Sequence, residues 1–299
     1  MNDHEEACNK KAGKFSTVLF CFWVVAAMLM VQTAAVIVGI MPKVMTIVKA
    51  VGPDSMAVRD KVMNYMQTSS NLTLYMFVAE LVCLLVSGTW YYYGYVKKDR
   101  ENGSYGENAI KFDGIKSAAF VLTGCIAAWS MAVIIQRIVA ALFPQTAENV
   151  GAMLGNALGG NMVLGIITAV VLAPIFEEIT VRGIILRRSK RAFGVIGCIV
   201  ISAFMFGVFH LNIIQGLYVL PLGLFWGFVG YRFNSVIPCI FCHMLNNFLG
   251  VLIPASVNPV ILFILTGSIA AFVGVRFGYF DINKEQKQSD DITGGKNND

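Results

Sequence analysis

The sequence predicts an all-α fold, that of a polytopic membrane protein with about eight transmembrane helices. Hydrophobic residues make up 57% of the 299 residues and charged residues only 14%, whereas a soluble domain carries about 25% charged residues. Several apolar stretches reach the roughly 20 residues that a helix needs to cross a bilayer core. The net charge of +5 comes largely from basic residues at the ends of these stretches, as membrane orientation requires, so it does not indicate a nucleic-acid partner.

The apolar segments and their basic connections predict a topology. Basic residues occur in both terminal tails and in the second, fourth and sixth connections, and the third, fifth and seventh connections have none. By the positive-inside rule, both termini of this multi-pass cell-membrane protein are therefore cytoplasmic. The basic first connection is expected to lie partly along the interface as an amphipathic helix, and the third, residues 144–160, is expected to be an exposed loop. The eight apolar segments are residues 15–41, 70–95, 117–143, 160–182, 193–210, 213–231, 236–252 and 257–278.

Three ionisable residues lie together at the end of an apolar run. Glu177, Glu178 and Arg182 follow residues 163–176, and a charge at membrane depth costs about 2.5–3.5 kcal/mol even on a permissive scale. Neighbouring glutamates point about 100° apart on a helix, whereas Glu178 and Arg182, four residues apart, form a natural ion pair. This pairing would leave Glu177 free to act as a base. The alternative is that the three charges only mark the inner end of a span.

Two of the three histidines also lie in apolar segments. His210 follows Phe206 by one helical turn, and His243 shares a helix face with Asn247. Each alone is more typical of an interface residue or a helix-packing contact, because polar side chains do bond across membrane helices. Counting 1.5 Å per residue from the fourth connection puts Glu177 about 15–20 Å into the membrane, His210 deeper and His243 shallower. A shared site therefore requires strong tilt, a later start of the fifth span, or a broken helix, which is allowed at membrane depth where it lines a cavity.

Together these residues indicate hydrolysis, by one of two routes. Glu177, His210 and His243 could hold a metal ion such as zinc, whose bound water becomes acidic. Alternatively, Glu177 could act as general base while the imidazoles and the Asn247 amide stabilise an oxyanion. Both routes end in the attack of water on an amide bond.

The three motifs, Glu177-Glu178-x-x-x-Arg182, Phe206-x-x-x-His210 and His243-x-x-x-Asn247, resemble those of the CAAX prenyl protease and bacteriocin-processing (CPBP, or Abi) family of intramembrane proteases. They occur in order on separate spans, and the resemblance covers about residues 160–252. It implies a helical membrane core around a conical catalytic cavity. Glu177 would be the catalytic glutamate with His210, His243 and Asn247 as partners, supported by Glu178, Arg182 and Phe206. Members have been described both as metalloproteases and as glutamate-dependent enzymes without metal, and the sequence leaves both open.

The resemblance implies an intramembrane endopeptidase acting on a membrane-associated substrate, either a prenylated CAAX-type C-terminus or a bacteriocin-like peptide. The alternative is a non-catalytic membrane immunity or transport protein that keeps the polar cluster for binding. The expected organisation is a polar cytoplasmic tail, three transmembrane helices with their loops, a catalytic core of spans four to seven, a last transmembrane helix and a disordered cytoplasmic tail. These parts are residues 1–14, 15–159, 160–252, 253–280 and 281–299.

Other candidate residues have mainly structural interpretations. Glu80 and Arg137 are charges within spans, expected to pair with each other or with a site residue, and substrate binding is the alternative. Cys239 and Cys242 have metal-ligand spacing, but a zinc site needs a second pair of ligands, and none is evident. The seven cysteines lie mostly within spans, where thiols pack as small hydrophobic groups.

Overall fold

The computed structural model describes residues 13–52, 55–67, 71–102, 110–158, 161–254 and 256–281, and it confirms the all-α membrane fold. Throughout these ranges the regular structure is helical. In chain order the helices are α1 (Lys14–Val51), α2 (Ser55–Gln67), α3 (Asn71–Glu101), α4 (Gly114–Leu142), α5 (Pro144–Leu158), α6 (Met162–Lys190), α7 (Val195–Phe209), α8 (Ile213–Tyr218), α9 (Leu220–Arg232), α10 (Ile237–Leu252) and α11 (Pro259–Arg276).

Five of these helices, α1, α3, α4, α6 and α11, are long and apolar enough to cross a membrane. Each of the eight predicted apolar segments lies on helical structure, and the sixth is divided between α8 and α9. Helices α7 and α10 are apolar but have only 15 and 16 residues. The number of eight spans therefore stays a prediction, as do the domain boundaries and the orientation of the termini.

The connections differ in part from the predicted ones. Residues 144–160 were expected to form an exposed loop, but α5 begins at Pro144 and continues to Leu158. Proline suits the first helical position, because its fixed φ matches the helix and its missing N–H has no partner there in any case. The first connection does contain a helix, α2. The predicted disorder of the C-terminal tail concerns residues that, apart from Asp281, lie outside the described ranges.

Helix α6 contains two π-helical segments, Thr168–Leu172 and Ile179–Leu186, on either side of the α-helical turn Ala173–Glu178. The N–H of Ala173 donates to the carbonyl of Thr168, five residues earlier. If this five-residue spacing continued, residue 174 would donate to the carbonyl of Ala169, but residue 174 is a proline and has no N–H. The carbonyl of Ala169 therefore lacks a partner within its own helix. π-Segments of this kind occur often at functional sites.

Close helix contacts position the elements around α6. A Cβ on Gly223 of α9 would lie 3.0 Å from the Cα atom of Ala203 on α7, so the two helices approach closely here and an added methyl group would have to move them slightly apart. Helices α4 and α11 are antiparallel, since the hydroxyls of Ser117 and Tyr279 are 2.8 Å apart at the beginning of one and just beyond the end of the other. A buried hydrophobic cluster lies between α4, α9 and α10, and it also includes Phe206 of α7.

Candidate active site

The predicted ion pair between Glu178 and Arg182 is present and fully buried. Arg182 Nη1 donates to Glu178 Oε1 at 2.9 Å, and Arg182 Nη2 donates to the carbonyl of Gly223 at 3.0 Å. The guanidinium also lies over the rings of Phe206 and Trp226, with its carbon 4.9 and 5.5 Å from their centroids. A buried charge needs such compensation, because its transfer out of water is expensive. Arg182 thus connects α6 to α7 and α9.

His243 extends this network from α10. Its Nδ1 atom lies 3.0 Å from Glu178 Oε1, and its ring stacks on Trp226 at a centroid distance of 4.5 Å. Because Glu178 Oε1 also accepts from Arg182, it acts as a carboxylate acceptor, and Nδ1 of His243 is the protonated nitrogen. In a neutral ring the Nε2 atom is then an acceptor, and it lies 3.9 Å from Glu177 Oε2.

Glu177 lies on a different side of α6 from its neighbour. Its Oε2 atom is buried and has no hydrogen-bond partner among the described residues. The 3.9 Å to His243 Nε2 is too long for a direct hydrogen bond. One water molecule could nevertheless contact both atoms, donating a hydrogen to each.

His210 lies in the turn directly after α7. Its Nδ1 donates to the carbonyl of Phe206 at 2.9 Å, and the two rings meet edge to face with centroids 5.0 Å apart. A carbonyl only accepts, so Nδ1 carries the proton and the neutral ring leaves Nε2 as an acceptor. The next residue, Leu211, has φ of 53°, a backbone conformation that few residues other than glycine adopt. This conformation ends α7 and turns the chain into α8.

Asn247 of α10 donates a hydrogen bond to a backbone carbonyl of α6. Its Nδ2 donates to the carbonyl of Ala169 at 2.8 Å, which is the carbonyl that Pro174 leaves without a helical donor. Its Oδ1 accepts from Asn246 Nδ2 at 2.7 Å. The Ala169 carbonyl and the Asn246 amide thus fix the orientation of the Asn247 amide, whose second N–H is oriented away from Ala169.

A cavity of about 350 Å³ brings the predicted residues together. Five helices, α4, α6, α8, α9 and α10, contribute to its wall, together with Phe206 of α7 and the turn that follows it. Glu177, His210 and His243, which the count from the sequence put at different depths, thus line one cavity. Helix α6 includes π-segments, and His210 lies in a turn rather than within a helix. The polar lining residues are Gln136, Glu177, His210, Gln215, Tyr218, His243, Asn246 and Asn247, and the aromatic ones include Trp129, Phe206 and Trp226.

Of these residues, Gln136, Gln215, Tyr218 and Asn246 were not predicted. A glutamine or tyrosine in an apolar span is a weak signal in a sequence, since polar side chains also serve helix packing. Asn246 had a recognisable signal, because it neighbours the predicted Asn247. Trp226 was also missed, and nothing in its local sequence indicates that it stacks on His243.

Glu80, Arg137 and Cys239, the other candidates from the sequence, each have a hydrogen-bond partner in the structure. Glu80 is buried on α3 and accepts a hydrogen bond from Gln32 Nε2 of α1 at 2.7 Å. Arg137 donates to the carbonyl of Val257. Cys239 is fully buried, and its thiol donates to the carbonyl of Trp226 at 3.2 Å, which is a packing role.

The geometry does not fit a three-ligand metal centre. Within the described ranges, no three His, Cys, Asp or Glu residues are arranged to hold a metal ion. His243 Nδ1 is bound to Glu178 and His210 Nδ1 to a carbonyl, so each ring could ligate a metal only through Nε2, as metal-ligating histidines commonly do. What the described residues lack is a group of three such ligands close enough to one another.

Comparison with known proteins supports the interpretation of this region. Residues 159–249 match the model of a protein family described as type II CAAX prenyl endopeptidase Rce1-like. This match confirms the predicted resemblance to the CAAX prenyl proteases over the segment that carries the three motifs. Neither the curated proteins nor the solved structures include a match to the chain.

Proposed function

From this family match we propose that the chain is an intramembrane endopeptidase in which Glu177 activates water. The observation that carries the proposal is the approach of Glu177 Oε2 to His243 Nε2, 3.9 Å, on the wall of a cavity among apolar helices. A base must lie within hydrogen-bond reach of the proton it removes, directly or through one water. The buried Glu177 oxygen meets this condition for a water that bridges it to His243.

In the proposed reaction, the bridging water donates one hydrogen to Glu177 and the other to His243. The water oxygen attacks the carbonyl carbon of the substrate while Glu177 takes its proton. When the tetrahedral intermediate collapses, the C–N bond breaks and the protonated Glu177 returns this proton to the leaving nitrogen. The products are a carboxylic acid and an amine, which exchange a proton to become carboxylate and ammonium, and Glu177 is regenerated.

The Arg182–Glu178–His243 chain positions the imidazole. A buried carboxylate that accepts from Nδ1–H fixes the tautomer and the orientation of a catalytic histidine, and Glu178 has this relation to His243. Arg182 balances the charge of Glu178 in the low-dielectric interior, where an unpaired carboxylate is costly. Glu178 and Arg182 therefore act through His243 and are positioning residues.

Asn247 and His210 can contact the carbonyl oxygen and the N–H of the scissile amide, respectively. The second N–H of Asn247 can donate to the developing oxyanion, and preorganised donors of this kind contribute strongly to catalysis. Neutral His210 presents an acceptor, so it suits the N–H of the scissile amide. This differs from the role in oxyanion stabilisation expected from the sequence, which would require a protonated ring.

We further propose that the substrate is a membrane-associated peptide, with a prenylated CAAX-type C-terminus as the first candidate and a bacteriocin-like peptide as the second. The matching family, described as type II CAAX prenyl endopeptidase Rce1-like, supports the first. A cavity of about 350 Å³ lies within the range of small-ligand pockets, so it accommodates a short peptide segment rather than a folded domain.

The test is cleavage of a prenylated CAAX reporter peptide by purified protein in detergent. We expect the wild type to cleave it and Glu177→Gln, which keeps the shape but not the base, to lose at least about 100-fold in kcat, the lower range for general-base catalysis. Glu148→Gln, at an exposed position on α5, is the matched control. Full activity of Glu177→Gln would reject the mechanism, and inhibition by a chelator would favour the metal route. No cleavage by the wild type would favour a binding or transport protein.

A further inference from the structure

Helix α4 carries a charged residue that the proposed chemistry does not use. Its charged residues are Lys116, paired with Asp113 at the beginning of the helix, and Arg137. Arg137 follows the polar Gln136 in a stretch whose other residues, 132–135 and 138–142, are apolar, and a charge within a span is a candidate for function because of its cost. Its side chain is exposed, and it donates to the Val257 carbonyl at 3.4 Å.

Arg137 lines a second cavity, of about 360 Å³, beside the active-site cavity. The two cavities share Trp129, Val133, Gln136 and Gly250 in their walls. They are therefore neighbours along the interface of α4 and α10. A peptide that lies against Glu177 can continue past Gln136 toward Arg137.

The alignment of α4 with α10 gives the approximate distance between Arg137 and Glu177 along the helices. Cys125 of α4 is level with Cys242 of α10, because its thiol donates to that carbonyl at 3.2 Å, and His243 follows directly. Arg137 is 12 residues beyond Cys125, about 18 Å along the helix. An extended peptide covers about 3.3 Å per residue, so this distance corresponds to about five residues. Helical side chains lean toward the N-terminal end of the helix, here toward the active site, so shorter segments can also reach the guanidinium.

The signs of the charges orient a peptide in this path. A free C-terminal carboxylate is repelled by Glu177, whereas a guanidinium binds carboxylates through a planar fork of N–H donors. We propose that Arg137 binds the free α-carboxylate of the substrate, so that the distance from Arg137 to Glu177 sets how far from the C-terminus the chain is cut. This inference rests on the proposed peptidase function.

Two peptides of identical sequence, one with a free C-terminal carboxylate and one with a C-terminal amide, test this role. Their binding to Glu177→Gln protein in detergent is measured by fluorescence anisotropy, and their cleavage is measured with Glu177 intact. We expect Kd for the carboxylate peptide to be lower by at least about tenfold, the effect of one charge-assisted contact. Arg137→Gln should reduce this ratio to about one, and Arg137→Lys, which keeps the charge without the fork, should give an intermediate ratio. Lys116→Gln is the control for loss of a positive charge from the same helix.

Equal binding of the two peptides, including no binding of either, would overturn the inference, as would a ratio that persists in Arg137→Gln. Cleavage of both peptides with equal kcat/KM would also overturn it while leaving the peptidase function intact. Carboxylate-selective, Arg137-dependent binding without cleavage would support the role of Arg137 and reject the peptidase function.

Discussion

Replacing Arg182 by methionine is expected to destabilise the protein by about 3–5 kcal/mol, because it leaves the buried carboxylate of Glu178 without its cation. Both side chains of the pair are completely buried, and Nη1 lies 2.9 Å from Oε1. Methionine retains part of the apolar contact with Phe206 and Trp226, so the main loss is electrostatic. In the double variant Glu178→Gln/Arg182→Met neither of the two positions carries a buried charge. It should therefore be less destabilised than the sum of the two single variants by about 2 kcal/mol, within the usual range for directly interacting residues.

The assay is reversible unfolding in mixed detergent micelles, with the free energy of unfolding measured for all four members of the cycle. The matched control is the Lys116–Asp113 pair, whose side chains are 47% and 64% exposed and whose coupling should not exceed about 1 kcal/mol. A coupling energy between Glu178 and Arg182 no larger than that of the control would refute the reasoning, since it would mean that the buried pair is solvated or compensated elsewhere.

Three further predictions concern the surroundings of the site. Gly223→Ala should lower the free energy of unfolding by about 1–3 kcal/mol, because the new methyl group would meet α7 at 3.0 Å, whereas Gly88→Ala, which meets nothing within 4 Å, should not destabilise the protein. Asn247→Ala should cost about 1–3 kcal/mol by leaving the Ala169 carbonyl unsatisfied and should lower kcat more than it raises KM. An unchanged kcat would show that the Asn247 amide does not stabilise the oxyanion. The Cys239→Ala variant should keep its proteolytic activity, because the thiol has a packing role. Loss of activity in a correctly folded variant would support metal binding by Cys239 and Cys242.

Part of the site followed from sequence spacing alone. Four residues on a helix bring Glu178 and Arg182 within reach of each other, and the two side chains pair although the π-segment Ile179–Leu186 begins between them. The all-α class followed from composition, because a chain so apolar must satisfy its backbone groups internally in lipid. The family resemblance followed from three short motifs in the correct order.

The rest depends on contacts between helices that no local pattern encodes. The sequence put Glu177, His210 and His243 at different depths, because the count assumed straight helices with a uniform rise per residue. In the structure α6 contains π-segments and His210 lies in the turn after α7. The bond from Asn247 to Ala169 could not be predicted, because it arises only where Pro174 removes a donor from a π-helical register. Likewise, the bond from His243 to Glu178 depends on how α10 packs against α6.

Hydrolysis in water enriched in ¹⁸O, limited to a single turnover, tests the central claim most directly, namely that water bound between Glu177 and His243 attacks the peptide carbonyl. The reporter peptide is mixed with excess protein, and the new C-terminal product and the Glu177 peptide are analysed by mass spectrometry. We expect one ¹⁸O atom in the product carboxylate from the first turnover and none in Glu177. A first product without ¹⁸O, together with ¹⁸O in Glu177, would show that the glutamate attacks the substrate itself and would contradict the account.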